Sequence, residues 1–222
     1  MINNSILIIS CARSGSTALA RSLFKQRKHL INEPWNSKTE NSKDPNSFFK
    51  NTYPIVNISN IKSTVVKTLS NQKPINYSKS QIDFLCELIK LYGISNTIFL
   101  SRKSFQEHIE SFTNLRYKIS KYGYNSGHEA DKWSINDIDK NFLSDKVEKN
   151  YIFSYIKESR DNMEYISKIF DKKISWYEDL YGNDRELSLN IINSWGLDID
   201  SKKVNKLLNP KLRYRIEQKA VI

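Results

Sequence analysis

The length of the chain, 222 residues, suits a single globular domain with a sizeable core, which we predict over residues 1–222. Its apolar content of 39%, with twelve tyrosines and ten phenylalanines, excludes an intrinsically disordered protein. The formal net charge of +11 favours an anionic partner, but the basic residues are scattered rather than grouped in an arm, so we predict no nucleic-acid partner.

The chain begins with a strand, a short loop and a helix. Residues 5–10 (SILIIS) have the apolar pattern of a buried strand, and residues 18–24 (ALARSLF) place leucine and alanine at helical spacing. In the loop between them, residues 11–17 (CARSGST), Gly15 lets the backbone approach a ligand and Arg13 adds a positive charge. Such a unit directs backbone N–H groups and the helix dipole at one anion. We predict a phosphate-binding loop, with an ordinary capped helix as the alternative; the ATP-type pattern Gly-x-x-x-x-Gly-Lys-Ser/Thr is absent.

Strands and helices alternate through the rest of the chain. Strands are predicted over 63–68, 96–101 and 173–176, and helices over 79–92, 105–116, 151–170, 186–195 and 202–208. Residues 36–51 and 121–150 are polar, and we predict a loop or mobile lid in the first and a loop with at most short helices in the second. Because strands alternate with helices, we expect parallel pairing through right-handed crossovers. The predicted fold class is α/β, with a central parallel sheet flanked by helices.

Cysteine, histidine and hydropathy patterns exclude further classes. The two cysteines, Cys11 and Cys86, lie far apart without metal-ligand spacing, which indicates a reducing compartment. His29, His108 and His128 form no ligand cluster, so no metal site is predicted. No apolar run approaches the ~20 residues of a membrane span, and the first residues lack a basic signal region. We expect a cytoplasmic protein with no membrane span; its oligomeric state stays open.

Three segments, in this order, resemble the sulfotransferase family. The loop 11–17 after its strand is similar to the loop that binds the 5′-phosphosulfate in that family. Arg102-Lys103 at a strand end, followed by Ser111 on the next helix, is similar to the element that holds a 3′-phosphate. The segment 176–180 (WYEDL) is similar to one found in many bacterial and carbohydrate sulfotransferases. The order and spacing of the three segments make the combination more specific than any single motif.

The resemblance implies a P-loop NTPase-like sulfotransferase fold and a cofactor. That cofactor is 3′-phosphoadenosine 5′-phosphosulfate, with adenosine 3′,5′-bisphosphate as product and no metal. The implied cofactor contacts are Arg13, Ser14, Gly15, Ser16, Thr17, Arg102, Lys103 and Ser111. Family members commonly place the serine eight residues after the basic residue, an offset that Lys103 meets, whereas Arg102 is nine residues before Ser111. Which of the two basic residues contacts the 3′-phosphate is therefore left open.

Two further residues are candidates for the chemistry of sulfuryl transfer, which needs charge neutralisation and a base for the acceptor hydroxyl. The resemblance implies a glutamate after the first helix, and Glu33 stands there, before Pro34 and Trp35. Lys67, in the strand 63–68, could stabilise the bridging oxygen or orient the acceptor. The alternatives are a surface glutamate in a turn and a strand-end lysine exposed to water.

Other acidic and basic residues are given structural or closing roles. We interpret Glu178 and Asp179 as structural, since they would oppose an anionic cofactor unless neutralised by a basic group. The basic tail from Lys211 to Lys219 is a candidate closing element over the 3′-phosphate. The predicted function is a sulfotransferase with a carbohydrate or small-molecule hydroxyl acceptor. The alternatives are a P-loop-type kinase for nucleosides or small molecules and a non-catalytic nucleotide- or polyanion-binding module.

Overall fold

A parallel sheet of five strands forms the centre of the part of the chain that the structure, a computed structural model, describes: residues 5–33, 63–73, 77–122, 142 and 144–208. The strands are β1 (Ile6–Ser10), β2 (His29–Asn32), β3 (Thr64–Leu69), β4 (Thr97–Ser101) and β5 (Ser175–Trp176). Their order in the sheet is β2-β3-β1-β4-β5, and every neighbouring pair is parallel. The prediction of an α/β fold with a central parallel sheet is confirmed.

Helices connect the strands and cover both faces of the sheet. They are α1 (Ser16–Phe24), α2 (Gln81–Tyr92), α3 (Phe105–Tyr122), α4 (Lys146–Ile169), α5 (Tyr177–Leu180), α6 (Arg185–Ser194) and α7 (Ser201–Leu207). On one face, Leu7 and Ile9 of β1 pack with α2 and α4. On the other face, Ile6 and Ile8 pack with α1, α6 and α7. Because both faces are buried, β1 is a continuous apolar run rather than an alternating one.

Local capping explains where α2 begins and ends and where α4 begins. Ser80 and Asp83 form a capping box at the start of α2, and Gly93, with φ 82°, lies at its end. The carboxylate of Asp145 accepts a hydrogen bond from the backbone N–H of Val147 at 2.8 Å and so caps α4.

The structure corrects several of the predicted elements, including the helix predicted over 105–116, which continues to Tyr122. The sequence pattern does not predict β2, because this four-residue edge strand buries only Ile31 and forms through pairing with β3. Helix α4 begins at Lys146 instead of residue 151, because Asp145 caps it earlier. A short helix, α5, occupies residues 177–180, for which no helix was predicted.

The strand order creates a topological switch point, here called the crevice, between the carboxyl ends of β1 and β4. After β1 the chain passes through α1 to β2 on one side of the sheet, and after β4 it passes through α3 and α4 to β5 on the other side. Connections that leave neighbouring parallel strands in opposite directions create the usual ligand site of such sheets. The first two motifs of the sequence directly follow β1 and β4, so the fold brings them to one crevice.

Some predicted features lie outside the described residues: the polar segment 36–51, most of 121–150 and the basic tail beyond residue 208. None of the helices in the described ranges combines the length and the apolar character needed to cross a membrane.

Two valines provide a matched test of the buried sheet. Val66 of β3 is fully buried, whereas Val147 of α4 is 78% exposed. We expect Val66→Ala to lower the free energy of unfolding by about 1.5–3 kcal/mol, because it removes buried methyl groups and leaves a cavity. Val147→Ala should change it by less than about 0.5 kcal/mol. Urea denaturation of both variants measures the difference, and equal effects would contradict the packing described here.

Candidate functional site

The loop after β1 is stabilised by hydrogen bonds within its own backbone and side chains. Gly15 has φ 76° and directly precedes α1, whose Leu19 N–H donates to the Gly15 carbonyl at 3.1 Å. The Ser14 hydroxyl donates to the carbonyl of Cys11 at 2.7 Å, and both side chains are buried. The first N–H groups of a helix have no carbonyl partner within it, so the first turn of α1, which begins at Ser16, is suited to an anion.

Helix α5 packs directly on Gly15 and explains the third motif of the sequence. A Cβ at Gly15 would lie 2.7 Å from Cδ2 of Tyr177 and 2.8 Å from Cε2 of Tyr181. The Tyr181 hydroxyl donates to the Gly15 carbonyl at 2.7 Å, and the two tyrosine rings stack with centroids 4.7 Å apart. Glycine is therefore required at this position for two reasons: the backbone has a positive φ, and the two tyrosine rings leave no room for a side chain.

The segment after β4 contacts the loop after β1. The Arg13 Nε–H donates to the Ser111 hydroxyl at 3.4 Å. The Arg102 Nε–H donates to the carbonyl of Arg13 at 2.8 Å, and the Arg102 guanidinium lies 4.4 Å from the ring centroid of Tyr177. Residues of all three sequence motifs thus meet at one place. Two guanidinium groups and a hydroxyl stand beside the start of α1.

Lys103 has a different environment from Arg102. Its ammonium lies 2.6 Å from Oδ1 of Asp179, and its backbone N–H donates to Oε2 of Glu178 at 3.0 Å. The Lys103 side chain is 52% exposed. Asp179 therefore neutralises the Lys103 ammonium and Glu178 holds the Lys103 backbone, while Arg102 is directed into the loop. This arrangement favours Arg102 as the basic residue available to an anion in the crevice.

Arg160 of α4 belongs to the same group, and sequence reasoning missed it. Its two terminal nitrogens donate to the carbonyls of Arg102, at 2.7 Å, and of Lys103, at 3.3 Å. Its guanidinium lies 5.7 Å from the ring centroid of Phe105. A single arginine in a long amphipathic helix gives no sequence signal, because only the packing of α4 beside β4 places it here.

Glu33 and Lys67 form an ion pair at the neighbouring strand ends. The Lys67 ammonium contacts Oε1 of Glu33, and the Gln72 side-chain amide donates to Oε2 at 3.2 Å. The backbone N–H of Glu33 also donates to the Lys67 carbonyl at 2.7 Å. The Lys67 side chain is only 2% exposed, so the alternative of a lysine exposed to water is wrong. The strand also continues beyond Lys67 to Leu69, so Lys67 projects from within β3.

Cys11 lies beside the loop but does not have the surroundings of a nucleophile. Its side chain is fully buried, and burial raises the pKa of its thiol, which favours the unreactive protonated form. The Ser101 hydroxyl donates to the Cys11 sulfur at 3.3 Å. The thiol therefore acts as a small packing group at the end of β1.

Within the described ranges, no group of three or more histidine, cysteine or acidic residues is placed to hold a metal ion. A comparison of the chain with protein-family models found no match, and a comparison with curated proteins found no significantly similar sequence.

Two glycines with positive φ allow the crowding at Gly15 to be tested. Gly196 has φ 67° and would have no atom within 4 Å of an added Cβ. We expect Gly196→Ala to cost about 1 kcal/mol of unfolding free energy through backbone strain alone. Gly15→Ala should cost about 2–5 kcal/mol, because the Tyr177 and Tyr181 rings must also move. Chemical denaturation compares the two variants, and a Gly15→Ala protein as stable as Gly196→Ala would show that the rings do not crowd the loop.

Proposed function

We propose that the protein is a sulfotransferase of the P-loop NTPase-like fold. It transfers the sulfuryl group of 3′-phosphoadenosine 5′-phosphosulfate to a hydroxyl of a carbohydrate or small molecule. The observation that carries this proposal is the direct contact of Arg13 with Ser111, which joins two anion-binding elements that are 98 residues apart in the sequence. A cofactor with phosphate groups at both ends of its ribose needs two such elements side by side.

The residues present fit that cofactor. The 5′-phosphosulfate would bind at the loop formed by Arg13, Ser14, Gly15, Ser16 and Thr17, where the helix N-terminus favours negative charge. The glycine at position 15 allows the loop to pack against Tyr177. Arg102 and Ser111 would bind the 3′-phosphate, since Lys103 is already paired with Asp179. The planar guanidinium of Arg102 would donate hydrogen bonds to the oxygens of the phosphate.

The ion pair of Glu33 and Lys67 supplies the groups that sulfuryl transfer needs. In the reaction a bond forms between the acceptor oxygen and sulfur, and the bond from sulfur to the bridging phosphate oxygen breaks. Glu33 would accept the proton of the acceptor hydroxyl as the new bond forms. Lys67, buried between β1 and β2 in the sheet, would stabilise the negative charge that develops on the bridging oxygen. Lys67 lies in β3 and Glu33 directly follows β2, so both groups lie toward the carboxyl-terminal edge of the sheet.

The cysteines support a reducing compartment. Cys11 and Cys86 are both free thiols. Free thiols are typical of cytoplasmic proteins, because thiol reductants keep cysteines reduced in that compartment. We therefore propose a cytoplasmic enzyme.

The ligand preference of the crevice tests the proposal. We expect adenosine 3′,5′-bisphosphate to raise the melting temperature, because it binds the folded state only, and we expect ATP with Mg²⁺ to do so poorly. Arg13→Ala should weaken binding of the bisphosphate by about 1–3 kcal/mol, because a charge-assisted contact is lost, and Ser111→Ala should weaken it by less. Isothermal titration measures each affinity.

The matched control for Arg13→Ala is Arg21→Ala, since Arg21 is an exposed residue on the neighbouring helix α1. That variant removes the same charge and should bind the bisphosphate as the unmodified protein does. Equal or greater stabilisation by Mg-ATP would favour a kinase instead. Binding that is diffuse and steeply dependent on salt would favour a non-catalytic polyanion-binding module.

Replacement of Glu33 tests the proposed base. Glu33→Gln should lower the turnover number by about 10²-fold or more, because the amide cannot accept a proton. The amide oxygen can still accept a hydrogen bond from Lys67, so the fold and the affinity for the bisphosphate should be retained, with a loss of stability of about 1–3 kcal/mol. Turnover is measured with an acceptor or, before one is found, as slow hydrolysis of the cofactor with water as acceptor.

The control for this variant is Glu87→Gln, which breaks an ion pair with Lys79 at 2.8 Å on the surface. It should leave turnover unchanged. A Glu33→Gln enzyme that turns over at the unmodified rate with a saturating acceptor would exclude Glu33 as the base.

A further inference from the structure

His108 is a buried histidine that the proposed chemistry does not use. It lies in the first turn of α3, where its backbone N–H donates to the carbonyl of Ser104 at 3.2 Å. Its side chain is 0% exposed, and Nε2 contacts the carbonyl oxygen of Ala12 in the loop after β1. A buried imidazole directed at the backbone of a binding loop, rather than at solvent or at a ligand, suggests a role in holding that loop.

The contact with Ala12 determines the tautomer of His108. A carbonyl oxygen can only accept a hydrogen bond, so Nε2 must carry the hydrogen. Among the described residues, Nδ1 is buried without a hydrogen-bond partner. An N–H group at Nδ1 would therefore be a buried donor without an acceptor. An unpaired lone pair at Nδ1 costs less free energy than such a donor. The neutral imidazole with hydrogen on Nε2 is the form that these contacts favour.

The charges around His108 also oppose its protonation. Arg13 from the loop, Arg102 from the end of β4 and Arg160 from α4 surround the ring, and their positive charges disfavour an imidazolium. Burial is the largest cause of the shift, and together with these charges it lowers the pKa of His108 to about 4. The ring is thus neutral near pH 7 and adds no charge to the group of arginines.

His108 and Arg102 hold the two carbonyls that flank Arg13. The Ala12 carbonyl faces His108, and the Arg13 carbonyl accepts from Arg102 at 2.8 Å. In a trans peptide the N–H points to the side opposite the carbonyl. The N–H groups of Arg13 and Ser14 are therefore turned away from His108 and Arg102. Successive N–H groups held in this way form an anion-binding concavity.

The backbone of Arg13 needs such support because it is strained. Its φ is 61°, in the left-handed region that residues with a side chain rarely adopt. A strained residue persists only where its surroundings over-determine its conformation. We propose that His108, as a neutral Nε2–H imidazole, is the positioning residue that holds the Ala12–Arg13 turn in its left-handed conformation and so preorganises the loop for its anion. The identity of that anion, and only that part of the inference, rests on the proposed function.

Variants of His108 separate donation by Nε2 from simple filling of space. His108→Gln keeps an N–H donor near the position of Nε2, whereas His108→Leu keeps much of the volume without a donor. We expect the affinity for adenosine 3′,5′-bisphosphate to fall about tenfold in His108→Leu and to stay within about twofold in His108→Gln. His29→Leu, at the exposed start of β2, is the matched control and should bind as the unmodified chain does.

Two measurements on the ligand-free full chain make the test independent of the nucleotide. Imidazole ¹⁵N chemical shifts of histidine-labelled protein should show a protonated Nε2 and a bare Nδ1 for His108, unchanged from pH 8 to pH 5. Heteronuclear ¹⁵N relaxation should show the amides of Arg13 and Ser14 ordered in the unmodified chain and in His108→Gln, and mobile in His108→Leu.

The outcomes are distinguishable. Failure of the unmodified chain to bind the bisphosphate would overturn the proposed function, while the shifts and relaxation would still decide the role of His108. A loop as ordered in His108→Leu as in the unmodified chain, or a hydrogen on Nδ1, would overturn the inference about His108. Should His108→Leu fail to fold, the tautomer in the unmodified chain and the affinity of His108→Gln decide the matter.

Discussion

The close approach of α5 to Gly15 is the constraint on which the rest of the site depends. The Tyr177 and Tyr181 rings occupy the space that a side chain at position 15 would need, and the Tyr181 hydroxyl holds the Gly15 carbonyl. The Tyr177 ring also packs against the Arg102 guanidinium. One short helix after β5 therefore positions both the loop after β1 and the arginine after β4. The loop geometry and the placement of its charges have a common structural cause.

Three arginines lie close together at the site, and each of them has a hydrogen-bond acceptor. Arg13 donates to the Ser111 hydroxyl, Arg102 to the carbonyl of Arg13 and Arg160 to the carbonyl of Arg102, so each guanidinium is held by a polar partner in the segments after β1 and β4. The nearby acidic residues, Glu178 and Asp179, contact Lys103 on the outer side. Like charges brought together in this way favour binding of an anion, because the anion relieves their repulsion.

The buried pair of Lys67 and Glu33 has a different energetic character. A lysine that is 2% exposed has lost most of its hydration, and its carboxylate partner compensates for that loss. Such pairs contribute little net stability compared with apolar residues of the same volume, although removal of one partner is costly. In this pair the lysine bears most of the cost of burial, because the Glu33 side chain is still 21% exposed.

The sequence by itself determined the fold class and predicted which segments contribute to the candidate site. Apolar runs in residues 5–10 and 96–101 predict buried strands, alternation with helices predicts parallel pairing, and the glycine-containing loop predicts an anion site, because each of these follows from local pattern. The tertiary structure decided the rest. The edge strand β2 has no pattern of its own in the sequence, because it is defined by its pairing with β3. Arg160 has none either, because the packing of α4 beside β4 places it at the site. The ion pair of the buried Lys67 and the different surroundings of Arg102 and Lys103 also depend on partners distant in sequence, Glu33 and Asp179, which only the folded chain brings together.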